Sequence, residues 1–235
     1  WQHLSPFPPG TVTDRLVGFV DLAATMLSLA GLAGPGRMQG KAFFGLHAKP
    51  PRKLQFGFRS NQANHYDPCR TVTDGQLKYV RNYIPYQPLC LRNGYQWGMP
   101  ANLAWDRCVL EGRCTQAEWL FPYRPRPTEE LYDVREDPFE LRNLAEDPAY
   151  TSHLQRLRDE LSQHIRQTLD LGLFPQSTRT NKGMPLYDWV RKTDYPLETL
   201  WKPLEEADAT MAPPPKPPLD RYRLQRKAII FLRSF

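Results

Sequence analysis

The sequence has few cysteines, no long apolar run and none of the short motifs that mark nucleic-acid binding. Its apolar stretches fall short of the roughly 18–20 residues that a membrane span needs. It has neither an RNP-like aromatic pattern nor a zinc-finger spacing, so nucleic acid is not an expected partner. The cysteines form no C-x-x-C pair and have no histidine nearby at zinc-ligand spacing, which excludes a zinc site.

The four cysteines leave two interpretations open. They are Cys69, Cys90, Cys108 and Cys114. Buried free thiols are the simpler interpretation. One disulfide, with Cys108 and Cys114 nearest in sequence, would instead fit an exported protein.

The composition is that of a folded protein with long connecting segments. Hydrophobic residues make up 40% and aromatic residues 12%, enough for a core. The 24 prolines are about twice the usual share of roughly 5%. Many of them fall in 1–9, 122–127 and 212–218, which favours connections over helices or central strands.

The net charge of +6 is unevenly distributed. Basic residues gather in 219–235, whereas 128–148 is acidic. We interpret this as a solvated surface with a basic tail, and the alternative is a tail that contacts nucleic acid or a membrane surface. The sequence begins at Trp1 with no signal peptide before it, as a mature or incomplete chain does.

Hydrophobic periodicity predicts an α+β fold, a small antiparallel sheet packed by one long amphipathic helix. The apolar face of that helix is the series Leu154, Leu157, Leu161, Ile165 and Leu169. The predicted strands are 54–58, 70–74, 77–83 and 130–134, and the predicted helices are 14–31, 101–111 and 149–170. Helix 14–31 is apolar almost all round, so it is expected to need a partner that this sequence does not supply.

Four segments in order resemble the sulfatase family. Residues 9–31 are similar to the last helix of the catalytic domain, which the family writes as D-L-x-P-T-L-L-x-L-A-G. Residues 38–40 resemble M-Q-G, residues 74–82 resemble D-G-x-[YW]-K-Y-I-x-N, and residues 129–145 resemble E-E-L-Y-D-x-x-x-D-P-x-E-x-x-N-L-A. The resemblance covers about 1–175 and is strongest to heparan N-sulfatase-like and arylsulfatase-A-like enzymes.

The resemblance implies three regions. Residues 1–45 correspond to the end of a sulfatase catalytic domain, and 46–175 correspond to the C-terminal subdomain. Residues 176–235 form a Pro-rich, irregular extension with a basic end.

The resemblance also implies that the catalytic machinery lies elsewhere. Sulfatases generate their nucleophile from a [CS]-x-P-x-R motif and use a divalent cation, usually calcium, and this sequence contains no such motif. We therefore expect the C-terminal part of a larger enzyme, with no cofactor of its own and with the N-terminal catalytic domain as its partner. The expected substrate is a sulfated small molecule or glycan, and the relatives imply a periplasmic or secreted parent.

The substrate-binding residues are predicted in 58–70, which corresponds to a family loop at the mouth of the active site. They are Arg59, Asn64, His65, Tyr66, Asp67 and Arg70. His65 stands where the family usually has arginine, which holds an anion with a fixed fork at any pH. An alternative is that Arg70 and Asp67 only pair to fix the loop.

Two further points stay open in the sequence. Trp97, Trp105 and Trp119 are candidates for stacking on sugar rings, with core packing as the alternative. For the whole chain, the alternative function is a stand-alone module that binds sulfated sugars without cleaving them.

Overall fold

The structure is a computed structural model that describes residues 8–62, 65–115, 125–174, 180–181 and 184–193. Its helices are α1 (Val20–Leu29), α2 (Gly94–Trp97), α3 (Pro100–Leu110), α4 (Thr151–Thr168) and α5 (Leu186–Thr193). Its strands are β1 (Gln55–Gln62), β2 (His65–Thr73), β3 (Leu77–Asn82), β4 (Glu129–Asp133), β5 (Thr180–Asn181) and β6 (Met184–Pro185). The predicted tail at 219–235 and Trp119 lie outside the described residues.

The first four strands form one antiparallel sheet in the order β1-β2-β3-β4. Strand β3 pairs with β4 in a register that places Tyr79 opposite Leu131 and Arg81 opposite Glu129. Leu131 and Tyr79 are almost fully buried, as alternating strand residues on a covered face should be. The predicted α+β fold with a small antiparallel sheet is confirmed.

The long helix α4 follows the predicted apolar stripe. Leu154, Leu157, Leu161 and Ile165 are buried along its 18 residues. The prediction was wrong at Leu169, because the helix ends at Thr168 and Leu169 takes a left-handed φ of 52°. The helix also lies against β1, where the His164 ring stacks on Phe56 with centroids 3.7 Å apart.

The chain divides into two compact units that interleave along the sequence. One comprises Trp1–Phe58, Arg70–Arg81 and Glu129–Ile165, and the other comprises Arg59–Cys69, Asn82–Thr128 and Arg166–Phe235. The predicted regions 1–45, 46–175 and 176–235 follow the resemblance and stay a prediction.

In the first unit, α1 turns its polar residues inward. The helix begins at Val20, six residues later than predicted, and its buried residues are Asp21, Ala24, Thr25 and Ser28. The Lys41 amide donates to Asp21 Oδ1 (2.7 Å), the Phe43 amide to Thr25 Oγ1 (3.1 Å) and the His47 amide to Ser28 Oγ (2.8 Å). These side chains thus hold segment 41–47 alongside the helix.

At the start of this segment the backbone comes so close to α1 that residue 40 must be glycine. A Cβ at Gly40 would lie 1.9 Å from the Val20 carbonyl oxygen, well inside van der Waals contact. On its other side the helix exposes apolar residues, with Val20 51% and Met26 62% accessible. This agrees with the expectation that α1 has apolar surface without cover, within the part of the chain that the structure describes.

Candidate functional site

The predicted substrate-binding residues lie on strands rather than on a loop. Arg59 belongs to β1, and His65, Tyr66, Asp67 and Arg70 belong to β2. The loop prediction was therefore wrong, because polar side chains in 58–70 hid the strand pattern. Asn64 lies between the two strands and outside the described residues.

In the second unit, Asp67 is the buried centre of an ion cluster. Its side chain has no exposed surface, and Arg126 Nη2 donates a short hydrogen bond to its Oδ1. Arg59 Nη2 lies 2.6 Å from Asp67 Oδ2 as an ion pair without regular hydrogen-bond angles. Arg59 Nε also donates to the Asp67 carbonyl at 3.3 Å. A single buried carboxylate therefore faces two guanidinium groups.

Arg126 fixes this cluster to the surrounding backbone. Its side chain is 5% exposed, and Nη1 donates to Asn82 Oδ1 at 3.2 Å. Nη2 donates to the Ile84 carbonyl and Nε to the Gln87 carbonyl, each at 3.2 Å. Sequence analysis missed this residue. In the sequence, Arg126 stands between two prolines, a pattern that predicts a connecting segment. That pattern does not reveal which distant residues the arginine binds.

Tyr66 and His65 each hold a distant segment of the same unit. Tyr66 Oη donates a short hydrogen bond to the Leu173 carbonyl. His65 Nε2 lies 2.8 Å from the Arg92 carbonyl. Because a carbonyl only accepts, Nε2 must carry the proton in this contact. Both residues therefore help to position the chain beside the cluster.

Arg70 belongs to the other unit and is not presented to solvent. Its residue surface is 2% exposed, and its guanidinium carbon lies 5.9 Å from the centroid of the Phe58 ring. The alternative in which Arg70 and Asp67 only pair to fix the segment stays a prediction.

A second arrangement in the second unit joins Arg92, Trp97 and Asp106. Arg92 holds the carboxylate of Asp106 with a two-pronged fork, at 2.9 Å through Nη1 and 2.6 Å through Nη2. Trp97 Nε1 donates to the same Asp106 carboxylate at 3.0 Å. The Arg92 guanidinium also lies over the Trp97 ring, 4.9 Å from its centroid. We refer to these three residues as the Arg92 triangle.

The cysteines are free thiols in the structure. Cys69 is buried and the other three are partly exposed. Burial raises the pKa of the Cys90 thiol, against the opposing charge of Arg92. Cys90 is therefore protonated at neutral pH and is a poor nucleophile.

A surface pocket of about 410 Å³ lies within the first unit. Its lining residues are Asp74, Gln76, Leu77, Asp133, Ala149, Tyr150, His153 and Arg156. Its acids already have partners in the chain: Asp74 accepts from the Leu77 amide at 2.8 Å and pairs with Arg156 at 2.6 Å. Asp133 accepts from Gln76 Nε2 at 3.0 Å. The two acids of this pocket therefore hold neighbouring parts of the fold.

The described residues do not provide a metal site or a membrane span. Among them, no three His, Cys, Asp or Glu side chains gather closely enough to hold a metal ion. The calcium that the resemblance implies therefore finds no fitting ligand set in the described part of this chain. No described helix has the length and apolar character to cross a membrane.

Comparison with known proteins gives three curated relatives, two named ulvan-active sulfatase and one named N-sulphoglucosamine sulphohydrolase. An ulvan-active sulfatase of Formosa agariphila is 34% identical over 172 residues, which is 73% of this chain and 29% of that protein. The N-sulphoglucosamine sulphohydrolase of Homo sapiens is 26% identical over 172 residues, 68% of this chain and 34% of that protein. This chain is a sulfatase homologue. The predicted family is thus confirmed.

This chain corresponds to only a part of each curated relative. The sulfatase homologue spans 29% to 34% of the length of the curated relatives it matches. Solved structures similar to it include a 2-O GAG sulfatase (23% identity, TM-score 0.40, 64% of this chain and 25% of that one). Another is a structure in complex with D-glucosamine-2-N,6-O-disulfate (17% identity, TM-score 0.39, 64% and 24%). No protein-family model matches the chain.

Proposed function

We propose that this sulfatase homologue is the C-terminal part of a sulfatase, where it supports the fold and supplies one wall of a pocket for a sulfated sugar. The observation that carries the proposal is 34% identity to an ulvan-active sulfatase across 73% of the chain. Nucleophile and metal ligands come from a preceding catalytic domain in this proposal. The sequence itself has no [CS]-x-P-x-R motif.

The choice of a sulfated sugar rests on the relatives and on charge. Two of the relatives are named for ulvan and one for N-sulphoglucosamine. Arg59, whose side chain is 31% exposed beside the buried Asp67, is a cation suited to an anionic ligand. We assign Arg59 to substrate contact and Asp67 and Tyr66 to positioning. Asn64, His65 and Arg70 remain predicted contributors.

The metal of the complete enzyme belongs to the same proposal. The family resemblance implies calcium, which prefers six to eight oxygen ligands. Because the described residues offer no such cluster, its ligands are proposed to lie in the preceding domain. The parent enzyme is proposed to act in the periplasm or outside the cell.

The experiment compares two polypeptides. The coding sequence upstream of Trp1 is read, and the longest continuous polypeptide is purified beside the 235-residue chain. Sulfate release from sulfated mono- and disaccharides is measured with and without a metal chelator. We expect release by the longer polypeptide, loss of release on replacing the Cys or Ser of its [CS]-x-P-x-R motif, and none from the shorter chain.

Two results contradict the proposal. Metal-dependent sulfate release by the 235-residue chain alone would show that it holds a complete site. A start codon close to Trp1, with no nucleophile motif upstream, would instead favour a stand-alone module. In that case the purified chain should bind sulfated sugars without cleaving them.

A further inference from the structure

The surface pocket of the first unit lies where three elements of the fold meet. Asp74 lies in the turn between β2 and β3, and Asp133 ends β4. His153 and Arg156 are three positions apart near the start of α4, so they share one face of that helix. Tyr150 directly precedes α4. We refer to this cavity of about 410 Å³, a usual size for a small-molecule site, as the Tyr150 pocket.

The two carboxylates of the Tyr150 pocket are held in place and keep part of their acceptor capacity. Asp74 Oδ1 accepts from the Gln76 amide at 3.0 Å and from the Leu77 amide at 2.8 Å. Asp74 Oδ2 accepts from Arg156 at 2.6 Å, and Asp133 Oδ2 accepts from the Gln76 side chain at 3.0 Å. A carboxylate oxygen has two lone pairs. Within the described part of the chain each Oδ2 accepts one hydrogen bond, so each can accept another from a ligand.

The same pocket also contains donors and two rings. The Arg156 side chain is 44% exposed, and of its five N–H groups only one on Nη2 donates to a described residue, Asp74. The Tyr150 hydroxyl has no hydrogen-bond partner among the described residues. The rings of Tyr150 and His153 have centroids 6.1 Å apart and are tilted by 48°. Acceptors, donors and rings are therefore arranged before a ligand arrives, which lowers the cost of ordering them.

The charge of the Tyr150 pocket selects against an anion. Its lining has two aspartates, which are ionised at neutral pH, and one arginine, so its formal charge is negative with His153 counted as neutral. A sulfate or carboxylate group would be repelled there. A simple cation would leave the donors of Arg156 and Tyr150 without a partner. A ring with several hydroxyl groups uses both kinds of group, because each hydroxyl donates and accepts, and its C–H face can pack on an aromatic ring.

We propose that the Tyr150 pocket binds one uncharged sugar unit. Asp74 and Asp133 accept hydrogen bonds from its hydroxyl groups, and Arg156 donates to a hydroxyl oxygen. Tyr150 and His153 provide the surface on which the sugar ring packs. That the hydroxyl-bearing ring is a sugar rests on the proposed function, whereas its lack of negative charge rests on the lining of the pocket. A sulfated polysaccharide with unsulfated units would present such a ring.

The test titrates the purified 235-residue chain with D-glucose, D-xylose, D-galactose and N-acetyl-D-glucosamine. The ring signals of His153 are followed by NMR, since the chain has five histidines and a His153→Gln variant identifies them. At least one of these sugars should shift the His153 signals in a saturable way. N-acetyl-D-glucosamine 6-sulfate and D-glucose 6-sulfate should bind at this pocket at least about threefold more weakly than their unsulfated counterparts, because of the negative lining.

Two aromatic variants make the matched comparison. Tyr150→Ala removes a ring and a donor and should weaken sugar binding about tenfold. Phe139→Ala removes a ring of the same unit that is 81% exposed and does not line the pocket, and it should leave the affinity unchanged. If Tyr150→Ala fails to fold, Tyr150→Phe and Arg156→Gln are measured instead. Each removes one donor and should weaken binding by several-fold.

Three results would overturn the sugar site: no saturable shift of His153 with any of the four sugars, equal or tighter binding of the sulfated counterparts, or equal losses in the Tyr150 and Phe139 variants. Failure of the proposed function is distinguishable. Sulfate release by the longer polypeptide, without any sugar-dependent shift of His153, contradicts only the sugar site. Tyr150-dependent sugar binding without sulfate release by the longer polypeptide contradicts only the sulfatase proposal.

Discussion

Tyr79 Oη donates a 2.5 Å hydrogen bond to Glu129 Oε1 between the neighbouring strands β3 and β4. Arg158 on α4 holds the same carboxylate through two contacts of 2.7 Å, and Arg81 Nη1 lies 3.7 Å away. Glu129 thus joins two strands and the long helix of the first unit. It is the acid that begins the E-E-L-Y-D segment, one of the four segments that carry the family resemblance.

This arrangement predicts a loss of stability in acid. Burial alone would raise the pKa of Glu129, but hydrogen bonds from Arg158 and Tyr79 and the charges of Arg158 and Arg81 outweigh it and lower the pKa below 4.5. The unfolded chain therefore takes up this proton at a higher pH than the folded chain. The stability contributed by Glu129 is complete above about pH 4.5 and is lost as the pH falls through the folded pKa.

Urea unfolding of Glu129→Gln between about pH 6 and pH 3 measures this effect. The variant should be less stable than the parent chain at pH 6 and should lose less stability on acidification. Some acid dependence remains, because the pKa values of Asp74 and Asp133 are also lowered by their hydrogen bonds, against burial. Glu136→Gln, at an exposed acid, is the control and should keep the parent slope. Parallel slopes for Glu129→Gln and the parent would contradict the prediction.

The Asp67 cluster predicts unequal effects for its two arginines. Arg126→Met removes the nearly buried one of the two partners and should lower the free energy of unfolding by about 3–5 kcal/mol, the usual cost of breaking a buried ion pair. Arg59→Met should cost clearly less, because that side chain is 31% exposed and water can replace part of its contact. Chemical unfolding at pH 7 measures both values. An equal or reversed order would show that Arg126 does not hold Asp67 in place.

Helix α1 buries polar residues and exposes apolar ones. Replacing a polar residue of this helix should therefore cost more stability than replacing an apolar one. Ser28→Ala leaves the His47 amide without its 2.8 Å acceptor and should cost about 1–3 kcal/mol. Met26→Gln changes an apolar residue that is 62% exposed and should stay within about 0.5 kcal/mol. Urea titrations of the two variants give the comparison. A larger loss for Met26→Gln would mean that this face is covered when the chain is in solution.

The regular elements were predictable where the sequence carried a period. Leu154, Leu157 and Leu161 recur at helical spacing, so α4 lies within two residues of its predicted bounds. Strand β4 lies within one residue of its predicted bounds, although Leu131, Tyr132 and Asp133 are all buried and its burial does not alternate. The strand character of 59–62 and 65–67 was not predictable in this way. Polar side chains in these strands bind distant segments, as Tyr66 binds the Leu173 carbonyl and His65 the Arg92 carbonyl, and polar side chains are also typical of loops.

The candidate site was predictable only in part, because its contacts are distant in sequence. Asp67 and Arg59 were found through the family resemblance. Arg126 meets Asp67 across 59 positions, and Arg92 meets Asp106 across 14 with no helical or strand period between them. A pattern within a short window contains no information about such partners. The inward-facing Ser28 was missed for the same reason, since its acceptor role depends on where 41–47 folds.

The hydrogen bonds between α1 and segment 41–47 limit where the chain can be divided for study. A recombinant fragment that begins at residue 46, the start of the predicted subdomain, would leave Ser28 behind and retain the His47 amide that it binds. It would also lose Asp21, to which Arg52 donates a short hydrogen bond. A fragment beginning before residue 18 keeps both partners of every one of these contacts, including the Gly18 amide that donates to Asp21 Oδ2.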